Sequence, residues 1–179
     1  MPDLKIRPAL MGDLQECLSF DASYSTDYVW QMESRAANGE ISVTFRNARL
    51  PRSMRVTYPR DAEALSADWR LRDAILVAER DGARLGYVSI SALPAQGVAQ
   101  VGDLVVRRTH RRAGVGSALI RAALRWARER GLRQLVVETQ TKNHPAISLL
   151  NQLGFAFCGF NDRHYPNRDI AVFFSRAVR

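Results

Sequence analysis

Two glycines, Gly114 and Gly116, stand where an apolar strand gives way, through a run of arginines, to an amphipathic helix. Glycines at such a junction let backbone N–H groups approach a ligand closely, and the helix N-terminus adds roughly half a positive charge. Arg111 and Arg112 lie just before them, with Arg107 and Arg108 upstream. Together these describe an anion site able to hold a diphosphate. Two familiar phosphate loops fail on spelling. A nucleotide-triphosphatase loop needs a Lys-Ser or Lys-Thr pair after its last glycine, where this chain has Ser117-Ala118. A dinucleotide fingerprint needs glycine or alanine at 119, which is Leu119, and it begins close behind its strand, whereas Arg107 to Ala113 intervene here. The plain alternative is a left-handed turn entering a helix. The register of strand, arginines and helix favours the ligand loop.

The elements that must position this loop follow from periodicity. Residues 4–7 alternate as a short strand that Pro8 stops. Residues 11–20 and 27–37 read as two helices joined by Ser-Tyr-Ser-Thr, with Thr26 or Asp27 as N-cap. Residues 40–46 and 54–58 read as strands flanking the turn Arg-Leu-Pro-Arg, and 61–72 as a helix. Residues 74–79 and 84–92 are apolar strands around the hairpin signal Asp81-Gly82, and Ala99–Val106 adds a third antiparallel strand. From 115, Val115, Ala118, Leu119, Ala122 and Trp126 recur at helical spacing, and Gly131 is placed to end the helix. A strand over 133–139, a helix over 145–153 closed by Gly154, and strands over 155–160 and 169–176 complete the order. The expected fold is α/β of the mixed α+β kind: a mostly antiparallel mixed sheet flanked by helices. One domain over residues 1–179 is expected, its least typical segment being 38–72.

The spelling Arg111-x-x-Gly114-x-Gly116 resembles the Gln/Arg-x-x-Gly-x-Gly/Ala signature of the GCN5-related N-acetyltransferase (GNAT) superfamily. The resemblance extends to Lys5-Ile6-Arg7-Pro8-Ala9 … Asp13-Leu14, to Leu104-Val105-Val106, and to Asn143-x-x-Ala146-Ile147-x-Leu149 … Leu153-Gly154-Phe155. It covers roughly residues 4–176. Within the superfamily, Glu138-Thr139-Gln140-Thr141 … Asn143 … Pro145-Ala146, followed by Gly159 and Tyr165, looks most like the streptothricin acetyltransferases. The resemblance implies the acyl-CoA N-acyltransferase fold, a splayed sheet, and acetyl-CoA as cosubstrate, with no metal. It implies a cofactor site of Leu104, Val105, Val106, Arg111, Arg112, Ala113, Gly114, Val115, Gly116, Ser117 and Asn143. Backbone groups of Leu104 and Val106 would pair with the pantetheine arm and the thioester carbonyl. Asn143 would bind the pantetheine or its thiol side; as plain structure it caps the helix that starts near Pro145.

Acetylating an amine by direct attack in a ternary complex requires a neutral nitrogen. A lysine-like amine is protonated at pH 7, and freeing it costs about 4–5 kcal/mol. A positioned base recovers roughly 10²–10⁴ in rate. Asp103 and Glu138 are the two candidate bases, on the strands that splay apart in this superfamily. Asp103 reads alternatively as an acid paired with a nearby arginine. The superfamily's usual tyrosine, which protonates the thiolate, is replaced here by Leu150. Three readings stay open: Tyr165 takes that role, water does, or the chain is a non-catalytic acyl-CoA-binding or sensing module. His110, His144 and His164 lack metal-ligand spacing and read as loop residues. Tyr24, Tyr28 and Trp30 would line the acceptor side or, more simply, pack in the core.

Composition bounds the remaining classes. The 179 residues carry 26 Lys and Arg against 18 Asp and Glu, a net charge of +8. Much of it lies between Arg107 and Arg133, where Glu129 is the sole acid, and a second basic run covers Arg46, Arg49, Arg52, Arg55 and Arg60. A polyanionic partner fits this asymmetry. Nucleic acid is disfavoured, since no aromatics interleave with the arginines and no recognised module is present. No apolar run reaches the roughly 18 residues of a membrane span. Two cysteines, Cys17 and Cys158, give no disulfide or zinc ladder, and a reducing cytoplasm is the expected setting. The expected partner is a small molecule or peptide bearing a primary amine, with a homodimer left open.

Overall fold

The computed structural model describes residues 4–60 and 62–178, so the expected helix start at Asp61 lies outside the described residues. The strands are β1 (Lys5–Pro8), β2 (Tyr24–Ala37), β3 (Glu40–Val56), β4 (Ala74–Arg80), β5 (Ala83–Leu93), β6 (Val98–Val106), β7 (Gln134–Gln140), β8 (Ala156–Asn161) and β9 (Ala171–Ala177). The helices are α1 (Leu14–Leu18), α2 (Ala62–Trp69), α3 (Val115–Glu129) and α4 (His144–Gln152). Seven strands form one sheet in the order β1-β4-β5-β6-β7-β9-β8, while β2 and β3 pair separately as a long ribbon.

Local chemistry explains most of these choices. Asp81 and Gly82 both take positive φ, 52° and 76°, the geometry a tight β4–β5 hairpin needs. Along α3, Val115, Leu119, Ile120, Ala122, Ala123, Trp126 and Ala127 are buried. They join the core with Leu85, Val88 and Ile90 of β5 and Val101 of β6. Ala118, expected on that face, is only half-buried.

The segment 24–56 departs from the expectation. Residues 27–37 are not a helix but most of β2, and the strand expected at 40–46 joins residues 54–56 of the one expected at 54–58 in a single β3, leaving 57 and 58 in the linker that follows. The turn falls at Asn38-Gly39, both with positive φ (53° and 82°), which sets the register Ala37↔Glu40 to Tyr28↔Arg49. Pro51 of the expected turn lies instead where the register jumps, from Tyr28↔Arg49 to Thr26↔Met54. A residue without an N–H is tolerated at such an irregularity. Trp30 anchors the ribbon, its ring 6.0 Å from Phe45, 5.9 Å from Phe157 and 5.5 Å from Phe174. That aromatic packing and the cross-strand ladder override helix propensity here.

Two features of the main sheet build the site. First, Ser89 pairs with Asp103 but Ile90 pairs with Val101, so Gly102 is an extra residue, a β-bulge. A Cβ there would sit 2.8 Å from an Arg72 guanidinium nitrogen, so any side chain at 102 would displace that guanidinium. Second, β6 and β7 are parallel and pair only from Val98↔Gln134 to Val101↔Val137. Beyond that point β6 stays with β5 and β7 with β9, and the two strands part. The Arg107 N–H donates to Leu85 O (2.8 Å), so by alternation the backbone groups of Leu104 and Val106 face the gap.

Candidate functional site

The gap opens into a cleft of about 370 Å³. Its floor is Leu104 to Val106 of β6, one wall is the loop and first turn of α3, and the other is Asn143 and the first turns of α4. Gly114 is the N-cap of α3 at φ 81°, with no heavy atom within 4 Å of where its Cβ would be. The first bond into the helix runs from the Ala118 N–H to Gly114 O (3.0 Å). The N–H groups of Val115, Gly116 and Ser117 precede it and point toward the cleft end of the helix. At Gly116 a Cβ would meet Leu149 Cδ2 at 3.2 Å, so the absence of a side chain there lets α3 and α4 approach each other. An open helix N-terminus beside a narrow apolar cleft fits a diphosphate followed by a slender arm.

Most of the sequence-predicted cofactor residues converge here. Leu104, Val105, Val106, Arg111, Arg112, Gly114, Gly116, Ser117 and Asn143 line the cleft. Ala113 does not, and the Val115 side chain is buried in the core, leaving only its N–H for a ligand. Arg111 is not the free cation that its place in the signature suggested. Its Nε donates to Val106 O (3.0 Å), Nη1 to Ser23 O (2.6 Å) and Nη2 to Asp21 O (2.5 Å). Burial lowers its pKa, and these three carbonyls make it a latch tying the loop to the segment before β2. Asn143 caps α4 as expected, its Oδ1 accepting from the Ala146 N–H (3.2 Å).

Past Leu104 and Asn143 the cleft meets a second, tighter cavity of about 40 Å³. Tyr58, Leu104, Asn143 and Ala146 line both, so the two adjoin. Glu138 and Tyr165 line the inner cavity, and so does Leu150, which offers no proton. The Glu138 carboxylate, 4% exposed, lies 3.2 Å from His164 Nε2 and accepts from Arg60 Nη2 and Gln100 Nε2, each at 3.4 Å. Burial, then the charge and hydrogen bonding of Glu138, push the Tyr165 phenol well above its ordinary pKa. Asp103 lines neither cavity. Its carboxylate accepts from Tyr58 Oη (2.6 Å) and Ser89 Oγ (2.8 Å) on the sheet face toward α2. Burial, then the charge of Asp103, raise the Tyr58 pKa.

Sequence reasoning missed Tyr58 and Arg60, which belong to the linker between β3 and α2. Arg60 was legible only as one member of a basic run. His164, read as a loop residue, is in a loop but stands against Glu138. The aromatic trio divides: the Tyr24 hydroxyl donates to Gln140 Oε1 (2.7 Å) at the cleft, the Tyr28 ring lies 4.9 Å from His144, and Trp30 packs in its aromatic cluster. Among the described residues no group of three or more His, Cys, Asp or Glu could hold a metal, and no helix is long and apolar enough to cross a membrane.

Residues 44–155 match the family described as the acetyltransferase (GNAT) family. Streptothricin acetyltransferase of Streptomyces lavendulae is 28% identical over 169 residues, covering 90% of this chain and 86% of that one. The crystal structure of nourseothricin acetyltransferase superposes with a TM-score of 0.83 at 27% identity, over 98% of this chain and 99% of its own. A Bacillus anthracis protein assigned as a streptothricin acetyltransferase, solved in complex with acetyl coenzyme A, shares the fold with a TM-score of 0.75 at 22% identity, over 98% of this chain and 99% of its own.

Proposed function

This chain belongs to the acetyltransferase (GNAT) family, and from that premise we propose that it acetylates a primary amine of a streptothricin-type antibiotic. It is an N-acetyltransferase with acetyl-CoA as its cosubstrate. The finer assignment of the acceptor is supported by similarity to streptothricin and nourseothricin acetyltransferases over nearly the whole chain. The single observation that carries the chemistry is that two cavities adjoin at the β6–β7 gap, one reaching a helix N-terminus and the other Glu138.

Each residue then has a part. The N–H groups of Val115, Gly116 and Ser117 bind the diphosphate, with Arg112 adding charge and Arg111 holding the loop. Backbone groups of Leu104 and Val106 hold the pantetheine arm across the gap, and Asn143 borders its thiol end. When bound, acetyl-CoA supplies an activated acyl group as a thioester. Glu138 takes a proton from the acceptor's ammonium and so frees the amine to attack the thioester carbonyl, because it alone of the two candidate acids lines the inner cavity. Asp103 holds Tyr58 in place and does not reach the acceptor. Tyr165 keeps its proton at neutral pH and delivers it from Oη to the sulfur as the C–S bond breaks, a task Leu150 cannot perform; its hydrogen-bond partner Glu138 returns the first amine proton to the phenolate and takes the second from the acylated nitrogen for release to solvent.

Thiol release from acetyl-CoA, measured on a panel of streptothricin, aminoglycosides, polyamines and peptide N-termini, tests the reading. Streptothricin should give the highest kcat/KM. A better polyamine or peptide acceptor would move the acceptor class, and no turnover on any amine would refute catalysis in favour of acyl-CoA binding alone.

A further inference from the structure

Between the two parted strands stands a side chain that belongs to neither. Arg60, on the linker between β3 and α2, is 19% exposed at its side chain. Its Nη2 donates to Glu138 Oε1 on β7 (3.4 Å), while Nη1 lies 3.6 Å from Asp103 Oδ2 on β6 and donates to Asp68 Oδ2 on α2 (3.1 Å). One planar fork therefore reaches three elements. We propose that Arg60 is a positioning residue for the acetyl-transfer reaction, pairing with the Glu138 carboxylate and aiming it at the acceptor across the β6–β7 gap.

The reasoning is electrostatic and geometric. The Glu138 and Asp103 side chains are 4% and 3% exposed, so each pays a large desolvation cost when charged. Asp103 has further support from Tyr58, Ser89 and an Arg72 nitrogen at 3.9 Å. Glu138 has fewer resources. The groups that face it are Arg60 from the linker, Gln100 from β6, and His164 and Tyr165 from the loop between β8 and β9. Among these, only Arg60 is charged at every working pH. Burial tends to discharge Arg60, but Asp103, Glu138 and Asp68 outweigh that and keep it protonated. Asp68 and Arg72, themselves joined at 2.7 Å, fix the far side of the fork. An opposite charge at such a distance lowers a carboxyl pKa by about 1–3 units. Without it, the buried Glu138 carboxylate would lose the one permanent cation that faces it and the hydrogen bond that fixes its direction.

This inference rests on Glu138 as the base, so the test separates the two. The pH–rate profile of kcat/KM is measured for wild type, Glu138→Gln, Arg60→Gln and Arg60→Lys, with coenzyme A affinity by calorimetry in each. Arg60→Gln should raise the acid limb by about one unit or more and recover rate at higher pH. Arg60→Lys keeps the charge and should keep the limb, with a lower kcat from losing the fork. Coenzyme A affinity should not change in either. A merely structural role would lower rates without moving the limb. If the Arg60→Gln limb coincides with wild type while Glu138→Gln has lost it, the inference is overturned. A limb that survives Glu138→Gln overturns the base assignment first, and needs no Arg60 variant to show it. Should Arg60→Gln not fold, Arg60→Met, apolar and of similar length, is read in the same way.

Discussion

Replacing Gly114 by aspartate sets the fold and the cofactor against each other at one atom. The glycine sits at φ 81°, so an L-residue there is strained by roughly 1–2 kcal/mol. Nothing lies within 4 Å of the Cβ position, so the side chain itself meets no clash. A carboxylate at a helix N-terminus returns about 0.3–1 kcal/mol, since it faces the positive end of the dipole. The variant should therefore fold, losing about 1 kcal/mol. Binding has no such compensation. The new carboxylate takes the N–H groups of Val115, Gly116 and Ser117 for itself and repels a diphosphate. Losing two charge-assisted hydrogen bonds at about 1.5–3 kcal/mol each amounts to about 3–6 kcal/mol, or roughly 10²–10⁴-fold in Kd. Calorimetric titration with coenzyme A, alongside thermal unfolding of the free variant, measures both sides. A folded Gly114→Asp protein that binds coenzyme A within about threefold of wild type would refute the anion-loop reasoning, because at least one bond's worth of energy must be lost.

Tyr165→Phe should cost rate at neutral pH and leave the shape of the alkaline limb unchanged, read from kcat across pH, because the raised phenol pKa keeps wild-type Tyr165 protonated through that range. Asp13 is buried and accepts from Arg7 (2.7 Å), Arg84 (2.8 Å) and the Leu10 N–H (2.8 Å), and the Arg7 hydrogen bond leads in holding its carboxyl far below the usual range. Its stabilisation is complete above the unfolded value near 3.9 and fades as pH falls toward the folded one. Asp13→Asn should therefore lose about 2–3 kcal/mol in urea melts at pH 7, with a smaller difference from wild type as the pH is lowered through that window.

How far the sequence led depended on the range of the interactions involved. The glycine loop, α3 and α4 were legible because each is local: Gly114 and Gly116 shape a turn, Asn143 caps its own helix, and a stripe of apolar residues faces one sheet. Residues 24–56 were misread because their conformation depends on a partner strand and on Trp30 packing against Phe157 and Phe174, far along the chain. A local signal was nonetheless present, since Asn38-Gly39 is a strong two-residue hairpin turn and Tyr24, Thr26, Tyr28, Trp30 and Met32 alternate. In the site, strand position brought out both Glu138 and Asp103, but which of them lines the inner cavity was not legible. It turns on the Gly102 bulge, which reverses which way β6 side chains point, and a one-residue irregularity leaves no periodic trace.

The parted strands carry a further meaning for the life of the protein in a cell. The gap between Leu104–Val106 and Glu138–Gln140 is a sheet with one rung of its ladder missing, and an amide-bearing arm laid into it completes the rung. On the proposed reading, the cosubstrate is part of the architecture as well as a reagent. At a hundred times its Kd it adds about 2.7 kcal/mol to the folded state. Differences of that size change how much protein survives chaperone and protease surveillance. Free coenzyme A carries the same arm, so on the proposed reading the fold is most durable when the coenzyme pool, acetylated or not, stands well above its Kd.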